Sequence, residues 1–154
     1  MVCSCKQSCA CDKSIEVLSR LLANSYILFL KTQNIHWNVE SCAFRGIHLM
    51  TEEHYNDLFA AIDVIAERIR MVGGKSPATF KEFLEIASIN DNLNAETSEE
   101  MLKALLLDHK TIRDDIKNGI KTINDSDDFG TVDVLNSRLA FHEKIIWMLK
   151  STIA

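Results

Sequence analysis

A chain of 154 residues, 47% apolar and 25% charged, is long enough for one domain with a sizeable core, and five Gly with one Pro are too few for a turn-rich sandwich, a barrel or a disordered chain. Seventeen Lys and Arg against 22 Asp and Glu leave a formal charge of −5, the wrong sign for a surface built to neutralise many phosphates, so nucleic acid is not the expected partner. No run nears the roughly 18 apolar residues of a membrane span, and the N-terminus lacks the apolar core of a secretory signal, which predicts a soluble, cytoplasmic protein without a membrane partner.

Residues 1–13 read M-V-C-S-C-K-Q-S-C-A-C-D-K, without helical or strand period, and are expected to form a Cys-rich flexible tail ahead of a single domain over 14–154. From about Ser14, Leu18, Leu21, Leu22 and Ile27 recur at helical spacing, with Phe29 and Leu30 beyond, and predict a first helix running to about Asn38. After a short linker, Leu49, Leu58, Ile62, Ile65 and Ile69 mark a second helix that stops at Gly73-Gly74. Residues 76–94 exceed a tight turn, and Phe80, Phe83, Leu84 and Ile86 suggest a short helix inside a long crossover. Thr97 and Glu100 stand at capping-box spacing before an apolar stripe through Leu105, Ile112, Ile116 and Ile120. The acidic hinge N-D-S-D-D-F-G follows, and then Leu135, Leu139, Ile146, Leu149 and Ile153 trace a last helix. The whole is an all-α four-helix bundle with a short extra helix in the long crossover between the second and third long helices.

The chemistry lies in two helical ligand pairs. His48 and Glu52 are four residues apart, as are Asp63 and Glu67, so each pair leaves one face of the second helix one turn apart. Imidazole with carboxylates is a donor set for iron or zinc. His48 and Glu67 are separated by about 28 Å at a rise of ~1.5 Å per residue, too far to share a metal in one chain. A symmetric dimer removes the difficulty, since 48 with 67 and 52 with 63 add to the same total, 115. Antiparallel copies of the helix crossing a dyad near Asp57 and Leu58 set each pair opposite the other. Two equivalent intersubunit sites result, each with His36, His48 and Glu52 from one chain and Asp63 and Glu67 from its twin; His36 joins if the end of the first helix folds back beside the second. An intrasubunit di-iron centre needs Glu-x-x-His on two helices, and no histidine here has Glu three residues before it.

H-W-N-V at His36–Val39, Phe44, His48, E-x-x-Y at Glu52–Tyr55 and D-x-x-A-E-R at Asp63–Arg68 together resemble the Dps family of mini-ferritins, over nearly the whole chain after the tail. The resemblance implies a ferritin-like bundle assembled as a hollow shell of twelve subunits, a homododecamer built from dimers. Such a shell is a ferroxidase that oxidises Fe(II) with hydrogen peroxide or dioxygen and stores the ferric product, protecting the cell from oxidative damage. By the same resemblance the iron ligands are His36, His48, Glu52, Asp63 and Glu67, and the acidic cluster of Asp125, Asp127, Asp128 and Asp133 falls where the family has its threefold pores. Trp37 and Tyr55 lie close to the ligands in sequence, and Trp37 is a candidate radical trap. Ser41 departs from the Gly common after H-W-N-V-x. The tail has only Lys6 and Lys13, opposed by Asp12, which predicts weak or absent DNA binding. The rival reading is a non-catalytic DNA-compacting or signalling bundle, which would not accelerate Fe(II) oxidation.

His54, His109 and His142 are read as surface or satisfied core residues outside the site. Cys3, Cys5, Cys9 and Cys11 offer thiolates to a soft or borderline metal ion without matching a standard zinc spacing, and Cys42 in the linker reads as a structural thiol.

Overall fold

A computed structural model describes residues 5–123 and 127–154, and among these there are five helices and no strand: α1 (Cys5–Asn38), α2 (Phe44–Met71), α3 (Phe80–Ile86), α4 (Ser98–Ile123) and α5 (Phe129–Ile153). Cys3 and Asp125 lie outside the described residues. The first helix starts at Cys5 rather than near Ser14. The intervening stretch has neither Gly nor Pro to stop a helix, and Ser14, fully buried, is tied to the far end of the chain by a 2.7 Å hydrogen bond from its hydroxyl to Asp128 Oδ2.

The helix ends follow local chemistry. After α2, Gly73 adopts φ 91°, its N–H bonds to Arg70 O at 3.1 Å, and the Gly74 N–H reaches Ile69 O at 2.9 Å, which reverses the chain as a left-handed glycine cap. Gly74 is also pinned sterically, because a Cβ there would meet Ile15 Cγ1 at 2.8 Å. Thr79 and Glu82 close a capping box on α3, and Thr97 with Glu100 forms the expected one on α4, with Glu100 N–H on Thr97 Oγ1 at 3.2 Å and Thr97 N–H on Glu100 at 3.1 Å. In the link between α1 and α2, Ser41 Oγ accepts from Ala43 N–H at 3.1 Å and Ser41 O from Phe44 N–H at 3.0 Å, so a serine makes the turn without a positive φ.

The long helices pack as two hairpins, α1 with α2 and α4 with α5, joined through α1 against α4. Leu18, Leu22 and Ile35 of α1 meet Leu58, Ile65 and Ile69 of α2, with Leu105, Ile112 and Leu135 from the other hairpin, all 0–1% exposed. A bundle of this length draws its stability mainly from that burial. The crossover is anchored by Phe83, stacked on Tyr26 with ring centroids 4.5 Å apart, and by buried Asn24, which accepts from Ser88 N–H at 2.8 Å and donates to Asp115 at 3.3 Å. Leu30 and Leu49, counted with the apolar stripes of the first two helices, are instead 49% and 46% exposed. Cys42 is exposed and free, which corrects its reading as a structural thiol: the linker turns Val39 inward and leaves Cys42 to solvent.

Candidate metal half-sites

His36 closes α1 and His48 opens α2, and the short turn between them lays one imidazole on the other, centroids 3.7 Å apart and planes inclined by 18°. The contact is reciprocal. His36 Nδ1 donates to His48 O at 2.8 Å, and His48 Nδ1 donates to His36 O at 2.9 Å. A carbonyl only accepts, so both Nδ1 atoms carry a proton, and in the neutral form of each ring this leaves the lone pair that binds a metal on Nε2. Thr51, fully buried one turn on, donates to Ile47 O and His48 O at 2.8 and 3.0 Å and stands 3.4 Å from His36 Nδ1. Tyr55 sets an edge against the His36 ring at 5.2 Å, and Phe44 stacks on His48 at 5.0 Å. His36 is buried at 7% exposure and His48 half-buried.

Glu52 is half-buried, whereas Asp63 and Glu67 are exposed. Because α2 is continuous from Phe44 to Met71, Glu67 remains about 28 Å along the axis from His48. Among the described residues no three His, Cys, Asp or Glu side chains gather closely enough to hold a metal. His48, Glu52, Asn56, Phe59, Asp63 and Glu67 nevertheless follow one another at intervals of three or four along α2, which places them on a single stripe. Phe59, near its middle, is 66% exposed, an apolar residue between the two candidate ligand pairs.

Of the acidic cluster, Asp127 and Asp133 are exposed. Asp128 is committed elsewhere. It caps α5 by accepting from Thr131 N–H at 3.1 Å, takes the Ser14 hydroxyl and forms an ion pair with Arg68. Burial pushes its carboxyl up, but the hydrogen bonds from Ser14, Thr131 and Arg68 outweigh burial and hold it below the usual carboxylate range. Arg68, the last residue of the D-x-x-A-E-R run, therefore joins α2 to the start of α5. Trp37 is 61% exposed.

His54, His109 and His142, expected on the surface or satisfied in the core, are buried without full satisfaction: neither nitrogen of His54 nor the Nε2 of His109 or His142 has a hydrogen-bond partner. Their signal was in the sequence, since each occupies an inward register on its helix, as His54 does between Thr51 and Leu58.

Residues 15–154 match the ferritin-like domain family. The chain is 40% identical over 137 residues to DNA protection during starvation protein 2 of Bacillus anthracis, covering 89% of this chain and 94% of the relative. Among solved structures it is similar to Dps from Thermosynechococcus elongatus, with TM-score 0.92, 26% identity and coverage of 97% and 95% of the two chains. It is also similar to the Dps protein of Vibrio cholerae O1, described as a member of a broad superfamily of ferritin-like diiron-carboxylate proteins, with TM-score 0.88, 25% identity and coverage of 94% and 91%.

Proposed function

Since this chain belongs to the Dps family of ferritin-like proteins, we propose that it is a ferroxidase and iron store whose reactive sites lie between subunits. The observation that carries this reading is the His36–His48 pair, with both Nδ1 protons spent on carbonyls and both Nε2 atoms left for Fe(II). Those two histidines and Glu52 form one half-site, and Asp63 and Glu67 of a dyad-related copy form the other. The exposed Phe59 on the same stripe supports pairing along α2. Fe(II) is substrate, and two of them suffice for one hydrogen peroxide: each gives one electron, and with two protons the peroxide leaves as two waters without releasing a hydroxyl radical. Dioxygen is the alternative oxidant. The carboxylates favour the product ion, which carries the higher charge.

We place this chemistry in a cytoplasmic homododecamer that stores the ferric mineral and limits oxidative damage. Asp127 and Asp133 are the carboxylates free to draw Fe(II) through its pores, Asp128 being held by Arg68, and exposed Trp37 is a radical trap beside the site. DNA protection, named in the relative, here follows from iron chemistry, because a chain of charge −5 holds DNA weakly or not at all.

Anaerobic Fe(II) titration followed by peroxide, with particle size measured on the same sample, tests the reading. The parent should bind Fe(II) tightly and oxidise it faster than a protein-free control, and His48→Ala should weaken binding by roughly 100-fold while assembly persists. A parent no faster than the control excludes the ferroxidase and leaves a structural bundle. In the same assay Asp127→Asn with Asp133→Asn should slow uptake, and Trp37→Phe should raise the yield of escaping radical; unchanged values remove those two roles.

A further inference from the structure

The three histidines that the proposed iron chemistry leaves unused come from three helices and meet at one level of the core. His54 of α2, His109 of α4 and His142 of α5 are 2%, 0% and 0% exposed. His109 Nδ1 and His142 Nδ1 are 2.9 Å apart, and the His54 ring stands edge-on to His109 at 6.3 Å. The Nδ1 contact is a hydrogen bond only if one ring donates and the other accepts. It holds when both rings are neutral and tolerates one added proton. With both rings charged, two N–H groups would point at each other across 2.9 Å.

The groups around the pair offer a positive charge no welcome. Arg138, one turn before His142, is 7% exposed, lies 4.2 Å from the Phe141 ring centroid and donates to Asp57 Oδ1 at 2.6 Å. Asp57 of α2 is thus already paired. Lys144 of α5 bears on His54, and on the α1 side Lys31 is bound to Asp108, the residue before His109. Arg138 Nε and Nη2 have no hydrogen-bond partner, like the outer nitrogens of the imidazoles.

We propose that the His109–His142 pair is an acid-operated latch in the bundle: neutral and hydrogen-bonded it holds α4 to α5, and double protonation forces the two helices apart. Burial, then His142, His54 and Arg138, keep His109 well below the ordinary histidine value, and burial, then Arg138, lowers His142 to about 3. An unfolded chain takes these protons near 6.5, before the folded one does. The stability held by the pair is complete above that value and declines as pH falls toward the folded values. Each ring raises the unfolding constant about tenfold per pH unit in that window, so the pair raises it about a hundredfold. If the chain stores ferric mineral as proposed above, acid would loosen the container under conditions that also dissolve its contents.

Urea unfolding of the full chain at fixed protein concentration, at pH 7.5 and 5.0, tests the latch without iron, so its outcome is independent of the ferroxidase reading. Relative to the parent, His109→Gln/His142→Gln and His109→Leu/His142→Leu should each lose about a thousandfold of the acid-induced rise in the unfolding constant. Either double variant retaining the parent's full pH dependence overturns the proposal. Should neither fold, hydrogen exchange of the parent decides: loss of protection in α4 and α5 between pH 7.5 and 5.0, after correction for intrinsic exchange, supports the latch, and unchanged protection overturns it.

Discussion

Two inactive variants should restore each other. His48→Ala disables the half-site of one stretch of α2, and Asp63→Asn with Glu67→Gln disables the other. As homodimers both lose their two sites, because every site draws one half from each chain. In a mixed dimer one site receives both damaged halves, and the second receives the intact histidines of the acid-deficient chain with the intact carboxylates of the histidine-deficient one. That second site is whole. Random reassortment makes about half of the dimers mixed, so refolding the two variants together should return about a quarter of the parent's Fe(II) oxidation. Mixing the folded proteins without dissociation should return none. Sites contained within single chains would give no recovery in either case, as no chain carries all five ligands. Because α2 is one unbroken helix, His48 and Glu67 stay about 28 Å apart whatever the side chains do.

That geometry was legible in the residue numbers because a long helix converts spacing into distance with little freedom. The capping pairs Thr97–Glu100 and the Gly73 reversal were legible for the same reason, being interactions of residues near in sequence. The reciprocal His36–His48 bonds were not, since they depend on a turn whose serine departs from the expected glycine and on backbone carbonyls that no side-chain pattern reveals. The start of α1 at Cys5 was not legible, because a stretch without apolar period reads as a tail although it holds no Gly or Pro to stop a helix; the contact that fixes α1 near this end, from buried Ser14 to Asp128, is over a hundred residues away in sequence. The histidine cluster shows a different gap. Inward register at 54, 109 and 142 was available from periodicity, but which polar residues meet across three helices is decided by packing between distant segments.

Lys31→Met should cost about 3–5 kcal/mol of unfolding free energy at neutral pH, although it replaces a charge by an apolar side chain of similar length inside the bundle. Lys31 Nζ lies 2.7 Å from Asp108 Oδ2, and the two side chains are 4% and 12% exposed. The pair links α1 to α4 across the two hairpins. Removing the cation strands a carboxylate that has little water to turn to. Burial already pushes Asp108 up despite the hydrogen bond and charge of Lys31, so the carboxylate needs its partner more than the partner fortifies the fold. Two consequences separate this mechanism from loss of packing. Lys31→Met/Asp108→Leu, which removes both charges, should recover to within about 1 kcal/mol of the parent. The deficit of Lys31→Met should also narrow in acid, because a folded value above the ordinary carboxylate range makes the native state take up the proton before the unfolded chain does. Urea unfolding of parent, single and double variants at pH 7.5 and 5.5 measures both, with the histidine pair common to all three and cancelling in the differences. A single variant within about 1 kcal/mol of the parent at pH 7.5 would mean that Asp108 finds solvent once Lys31 is gone, and that this ion pair adds little to the joining of the hairpins.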